Sequence, residues 1–351
     1  MTSTRYGITR EEWDETLDDQ PSYRVDQLWE GLWTERRPLE EISNLPLTLR
    51  ERLAKDHPLA LEVATERVAD DGATVKWLYR LDDGYQIETV LMQYDDRSMV
   101  CVSSQAGCAM GCTFCATGQV GFDRHLRSDE ILEQIVRAQH HDPSTRVSHV
   151  VFMGMGEPLA NIDAVWSAVE RIHGQLGISA RRITISTVGV VPGIEFLAAA
   201  PLPIGLALSL HAATDEKRRP LVPLNRNYDI DELMEACERY LDQTHRRITF
   251  EWALIDGVND SDDDAAELSV LARSIGAHVN VIPLNPTSGY PTRGTPEAGV
   301  RRFCTTLRSL GVNVTVRQTR GRDIDAACGQ LRNDNPIAVK VARKPTNSTP
   351  D

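Results

Sequence analysis

The stretch CVSSQAGCAMGCTFCATG, residues 101–118, decides how the rest of the chain is read. Cys108, Cys112 and Cys115 stand there in the spacing C-x3-C-x2-C. The chain holds seven cysteines, an odd number that argues against a disulfide framework, and three of them crowd into eight residues, which argues for metal ligation. A structural zinc takes four closed tetrahedral ligands, commonly from two C-x2-C pairs. No second pair follows, although Cys101 is available as a fourth ligand. An iron–sulfur cluster of the [4Fe–4S] type normally takes four thiolates, so three from one short loop leave one iron open. That open iron suits the amino and carboxylate groups of S-adenosylmethionine. Gly107 and Gly111 allow a tight wrap, and Phe114 between the last two thiols is placed to keep water off,.

Outward from this loop, short apolar runs alternate with helical patterns. Strands are expected at 98–103, 147–153, 182–187, 204–210, 247–255, 278–283 and 312–317,. Helices are expected near 128–140, 161–175, 192–199, 229–242, 262–275 and 296–310,. Nearly continuous apolar strands separated by helices indicate a parallel sheet covered by those helices, either a partial or full barrel or a doubly wound sheet. In either architecture the functional residues collect at the C-terminal ends of the strands. Upstream, residues 9–56 read as short helices, with Thr9 and Ser22 at helix starts,. Residues 61–95 turn to extended runs such as TVKWLYRL, broken by Asp-Gly pairs at 71–72 and 83–84, which are hairpin signals.

The bulk composition bounds the partners. A content of 41% hydrophobic and 25% charged residues is that of an ordinary globular protein,. No apolar run reaches the length of a membrane span, and the acidic N-terminus has no apolar core of a signal peptide, so a cytoplasmic location is expected,. A net charge of −13 disfavours indiscriminate attraction to nucleic acid,. Local basic clusters remain: Arg124-His125-Arg127, Lys217-Arg218-Arg219, Arg246-Arg247 and the tract 317–344. Each alone reads as solvated surface.

Several polar residues fall where such strands end. Gly154 and Gly156 let the backbone approach a ligand, and Glu157 can accept hydrogen bonds from an amino group or a ribose,. Ser186, Ser209-Leu210-His211 and Asn285 end or follow later strands, although each alone would serve equally as a cap or turn former,. Cys328 lies between Ala326-Ala327 and Gly329, small neighbours that admit a bulky group, though a lone cysteine is more often a buried small apolar residue,. Glu88 stands between Ile87 and Val90, where an acid without a task is costly to bury,.

Taken together the motifs CVSSQ-x-GC-x3-C-x-FC-x-TGQ-x-GF, GMGEPL (154–159), ISTVGVVPGI (185–194), LALSLHA (206–212), PLVPLN (220–225), IPLNP (282–286) and TRGRDIDAACGQL (319–331) are similar to one family. The chain resembles the radical S-adenosylmethionine methyltransferases that modify adenosine carbon 2 in 23S ribosomal RNA and in certain transfer RNAs. The resemblance implies an α/β fold: a partial (βα)6 TIM-type barrel over 97–335, ending in a loop that carries a catalytic cysteine. It further implies a small helix-hairpin-helix-like RNA-binding module at 1–60, a β extension or linker at 61–96 and a disordered tail at 336–351. It assigns Cys108, Cys112 and Cys115 to the cluster. Gly156, Glu157, Ser186, Ser209, Leu210, His211 and Asn285 go to S-adenosylmethionine, of which two molecules are used per turnover. Cys328 carries the methyl group in transit, Glu88 removes the ring proton, and Cys101 breaks the enzyme–RNA link by forming a disulfide with Cys328. The implied partners are 23S ribosomal RNA, transfer RNA and an external one-electron donor of flavodoxin or ferredoxin type. The resemblance further implies that no membrane is involved and that the chain works as a monomer. Arg124, His125, Arg127, Arg317, Arg320 and Arg322 are the candidate contacts to the RNA backbone. Two alternatives stay open: a carbon-8 methyltransferase of the antibiotic-resistance type, which shares the motifs, and a zinc-stapled RNA-binding protein without catalysis.

Overall fold

The computed structural model describes residues 4–142, 145–287, 289–290, 292–317, 321, 324–326 and 329–331. Cys328, Arg320, Arg322 and the tail expected at 336–351 lie outside the described residues.

Among the described residues there are twelve strands: β1 Leu61–Ala69, β2 Thr74–Leu81, β3 Gln86–Gln93, β4 Ser98–Cys101, β5 Gln105–Gly107, β6 Phe122–His125, β7 His149–Phe152, β8 Ile183–Thr187, β9 Gly205–Ser209, β10 Thr249–Leu254, β11 His278–Pro283 and β12 Asn313–Val316. Ten of them form one sheet in the order β1-β2-β3-β4-β7-β8-β9-β10-β11-β12, while β5 and β6 pair separately. From β4 to β12 every neighbour runs parallel. Helices Ser128–His141, Ile162–Gly174, Val191–Ala199, Ile230–Thr244, Asp262–Ser274 and Glu297–Ser309 supply the crossovers. The chain order of strand and helix therefore matches the alternation read from the sequence, and the sheet is open, with β1 and β12 as its ends. Ile183, Ile185, Leu208, Phe250, Trp252, Val279 and Val281 are at most 1% exposed. Strands covered on both faces need such continuous apolar runs.

The hairpins at 61–93 are part of this same sheet. β3 pairs antiparallel with β4, so the extension continues the barrel wall without a break. The turns sit where the Asp-Gly pairs are, with Asp71, Gly72 and Gly84 at positive φ. Cross-strand partners share a face, as do residues two apart on one strand. The register Lys76↔Val90, Leu78↔Glu88 and Val90↔Cys101 thus puts Lys76, Glu88 and Cys101 on one side. Thr89 points to the other side, where its hydroxyl donates to Gln134 of helix Ser128–His141 at 2.8 Å.

The N-terminal module consists of helices Arg10–Thr16, Tyr23–Trp29 and Leu47–Asp56. Thr9 and Glu12 close a capping box at the first, but Ser22 makes no side-chain cap at the second. The second helix runs on as a π-turn over Glu30–Thr34, which buries Leu32 and Trp33. Arg36, 5% exposed, leaves this module to donate to Gln139 Oε1 at 3.1 Å and to the carbonyls of Val147 and Leu176. Arg171 returns the tie, its Nη1 donating to the Tyr6 carbonyl at 2.6 Å. Among the described residues, no helix is long and apolar enough to cross a membrane.

Candidate functional site

A cavity opens at the C-terminal ends of the parallel strands. One wall is the cysteine loop. β5 and β6 bracket it, and its neck closes where the Cys108 N–H donates to the Gly121 carbonyl at 2.7 Å. A side chain at Gly107 would meet that same oxygen at 2.1 Å, and its φ is +73°, so glycine is required there,. Cys108, Cys112, Cys115 and Phe114 all line the cavity.

Burial pushes the Cys108 thiol up to about 12 and that of Cys112 well above its ordinary value. Negative charge on the neighbouring sulfurs and on Glu157 adds to both. Thiols raised in this way, as Cys108 and Cys112 are, ionise readily only against a concentrated positive charge,. Among the described residues, no three His, Cys, Asp or Glu side chains form a group that could hold a single metal ion. Three soft sulfurs around one cavity suit a polynuclear iron–sulfur cluster, in which each thiolate takes a different iron.

The opposite wall comes from the strand ends. Gly156 has φ +102°, and a Cβ there would lie 2.5 Å from Gln105 Cβ. Gly154 presses equally on the backbone of Val102 and Ser103. This close approach sets Glu157 beside the cysteine loop: its N–H donates to Gln105 Oε1 at 2.8 Å. Its carboxylate accepts the Leu159 N–H at 3.0 Å and the Val188 N–H at 2.9 Å. Burial raises the Glu157 carboxyl to about 7, against the lowering effect of those hydrogen bonds. Ser186 and Ser209 hydroxyls meet at 3.2 Å across β8 and β9. Asn285, 3% exposed, closes the far side.

His211 sits at φ +61° with its ring edge-to-face against Phe114, centroids 4.7 Å apart. Its Nδ1 accepts the Ala253 N–H at 2.9 Å. Burial, with the charge of Arg218 adding to it, lowers the imidazole to about 3, so the ring is neutral at physiological pH. Leu210 is fully buried and contributes its backbone: its carbonyl accepts from Arg218 Nε at 2.9 Å.

Arg218 corrects the reading of its cluster as solvated surface, because it is 1% exposed. It also donates to Asn225 Oδ1 at 2.7 Å, the Val188 carbonyl at 2.6 Å and the Ser209 carbonyl at 3.2 Å. One guanidinium thereby ties the ends of β8 and β9 together. The fork geometry of arginine makes this possible. Glu251 and Arg317 were likewise not read as parts of the site. Both line the cavity, with Arg317 Nη1 3.8 Å from Glu251 Oε2, and Asn280 donates to the same carboxylate at 2.9 Å. Arg317 thus lines the cavity.

The three expected RNA contacts around β6, Arg124, His125 and Arg127, have partners within the chain. Arg124 forks onto Glu130 at 2.8 and 2.9 Å and also pairs with Asp83. Arg127 pairs with Asp129 at 3.1 Å and Glu130 at 3.2 Å. His125 Nδ1 meets Gln105 Nε2 at 3.0 Å. Arg124 and Arg127 thereby tie the segment around β6 to Asp82 and Asp83 at the hairpin turn.

Glu88 and Cys101 are buried, 2% and 7% exposed, and are not among the residues that line the cavity. Glu88 is ion-paired to Lys76 Nζ at 2.8 Å, a partner the sequence did not single out. Of the segment around Cys328, Gly329 lines the cavity and its carbonyl accepts the Ala116 N–H at 2.8 Å, next to Cys115. The Leu331 carbonyl accepts from Thr117 at 2.5 Å.

Comparison with known proteins adds to this geometry. Residues 102–269 match the model described as the Radical SAM superfamily. A Myxococcus xanthus protein, "Dual-specificity RNA methyltransferase RlmN 1", is 49% identical over 317 residues, which cover 88% of this chain and 88% of that one. A Rhodopirellula baltica protein, "Probable dual-specificity RNA methyltransferase RlmN", is 49% identical over 320 residues, 89% of this chain and 85% of that one. The crystal structure of a radical SAM methyltransferase from Sphaerobacter thermophilus superposes with a TM-score of 0.89 at 46% identity, covering 94% of this chain and 99% of that one.

Proposed function

The chain belongs to the radical SAM superfamily and, within it, to the dual-specificity RNA methyltransferases named RlmN, and from that premise we propose which of its residues carry the reaction. It is an S-adenosylmethionine-dependent RNA methyltransferase with a [4Fe–4S] cluster, directed at carbon 2 of adenosine. The observation that carries the assignment of residues is the convergence on one cavity of three thiols with Gly156, Glu157, Ser186, Ser209, His211 and Asn285.

Cys108, Cys112 and Cys115 hold the cluster. The bound cluster and S-adenosylmethionine supply the radical chemistry that a polar displacement cannot deliver to an electron-poor ring carbon. Glu157 accepts hydrogen bonds from the amino group of S-adenosylmethionine. Its fixed orientation, set by the Leu159 and Val188 N–H groups, lets it do so without reorganisation,. Ser186, Ser209, the Leu210 backbone, neutral His211 and Asn285 hold the remainder of that ligand. Cys328 carries the methyl group to the base, Glu88 takes the ring proton, and Cys101 attacks the Cys328 sulfur to release the product. Glu88 and Cys101 share one face of the sheet, and the segment that carries Cys328 packs against the cysteine loop, which supports a common reaction space.

The substrate is taken as 23S ribosomal RNA, with transfer RNA as the second. The target adenine leaves its stack to enter the cavity. A flavodoxin-like or ferredoxin-like donor supplies electrons, and the chain works as a monomer in the cytoplasm. The test is mass spectrometry of nucleosides from 23S ribosomal RNA and transfer RNA treated anaerobically with the reconstituted enzyme. 2-Methyladenosine is expected in both; 8-methyladenosine in its place would overturn the carbon-2 reading.

A further inference from the structure

We propose that Lys76 is a positioning residue that joins the base Glu88 to the loop bearing Cys328, so that the two are presented to the adenine in fixed relation. The inference rests on the roles given above to Glu88 and Cys328.

The geometry starts from the hairpin. Lys76 of β2 is 5% exposed, and its Nζ lies 2.8 Å from Glu88 Oε1 on β3. The same Nζ donates to the Asp325 carbonyl at 3.1 Å, three residues before Cys328. An ammonium has three donors and no acceptor, so one lysine can bridge a carboxylate and a carbonyl at once. Charge-assisted hydrogen bonds of this kind are the stronger class, and burial shields them from competing water.

The loop is shaped to meet this lysine. The Gly321 N–H donates to Asp70 Oδ2 at 3.1 Å, and that same carboxylate oxygen accepts from Thr74, two residues before Lys76. The N–H groups of Ile324 and Ala326 return to the Gly321 carbonyl, and Asp325 adopts φ +52°, which turns its own carbonyl toward the hairpin. Gly321 fits only as glycine, since a Cβ would lie 2.7 Å from Ala326 Cβ. On the far side of Cys328 the loop is fastened to the cysteine loop through Gly329 and Leu331. The described residues before and after position 328 are therefore anchored, Asp325 to the hairpin and Gly329 and Leu331 beside Cys115. Cys101, two residues along the same sheet face from the Glu88 position through Val90, completes the row.

The test compares Lys76→Met, Lys76→Arg and Glu88→Gln in the full-length chain. In the as-purified protein, hydrogen exchange of peptides covering 321–331 is expected to quicken about tenfold in Lys76→Met and to return toward wild type in Lys76→Arg. With cluster, S-adenosylmethionine and RNA supplied, the ratio of 5′-deoxyadenosine formed to adenine methylated should rise about tenfold in Lys76→Met, because cleavage of S-adenosylmethionine continues while transfer fails. Lys76→Arg should restore most of the coupling. Exchange and ratio both within twofold of wild type in Lys76→Met would overturn the proposal. Should Lys76→Met not fold, Lys76→Gln takes its place with the same expectations. Glu88→Gln separates the two levels: if it still methylates RNA, the base assignment fails on its own account, while the loop anchor is judged by exchange alone.

Discussion

His211 makes the acid stability of the strand ends calculable. Its imidazole ionises near 3 in the folded chain against an ordinary value of 6.5, because it is buried and faces Arg218. Folding therefore requires the neutral ring. The stability this group lends is complete above pH 6.5 and is lost as pH falls toward 3, since only the unfolded chain binds the proton in that window. At pH 5 the unfolded imidazole is about thirty-fold more protonated than not, which costs the folded state about 2 kcal/mol relative to pH 7.5. The informative substitution is His211→Asn. Asparagine tolerates the left-handed backbone at φ +61° and offers an oxygen where Nδ1 accepts the Ala253 N–H, but it does not titrate,. Urea unfolding of the cluster-free chain at pH 7.5 and 5.0 gives the loss for each protein, and the other titrating groups cancel in the comparison. Wild type should lose about 2 kcal/mol more than His211→Asn across that interval. Equal losses would show that the ring is not held neutral, and the description of the cavity wall around Ala253 and Phe114 would fall with it.

Two further outcomes follow from the same wall. Arg218→Met strips the donor from the Leu210, Val188 and Ser209 carbonyls and from Asn225, so stability should drop by about 3 kcal/mol, read from the denaturation midpoint,. Arg218→Lys, a point charge without the fork, should recover only part of it. Gly156→Ala forces a Cβ to within 2.7 Å of the Gln105 backbone nitrogen at φ +102°, and should weaken S-adenosylmethionine binding about tenfold by calorimetry while iron content stays unchanged,. Unaltered affinity would mean that the Gln105–Glu157 contact does not position the ligand.

The parallel half of the sheet was legible because a strand covered on both faces must be apolar along its length, and runs such as 204–210 and 278–283 have no other use. The cysteine loop was legible because its spacing is local. What the sequence concealed was pairing at a distance. Nothing near residues 61–93 says that β3 will add to β4, because a short turn at 94–97 is compatible with either a separate hairpin or a continuous wall. Lys217-Arg218-Arg219 reads as surface because charge runs usually are, and the carbonyls that bury Arg218 come from 188, 209 and 210. Arg124 and Arg127 looked like a phosphate track, but Asp82 and Asp83, some forty residues earlier, neutralise them. Lys76 stands within the extended run TVKWLYRL with nothing local to mark it, because its two partners are twelve and 249 residues away.

The guanidinium of Arg36 reaches from the N-terminal helices into three points on the barrel's flank. A hinge cannot turn about a pin of that kind without stranding a cation in a dry interior. Swinging the N-terminal helices away from the barrel would therefore cost all three of these bonds at once, so the cation acts as a rivet between the two packed parts,.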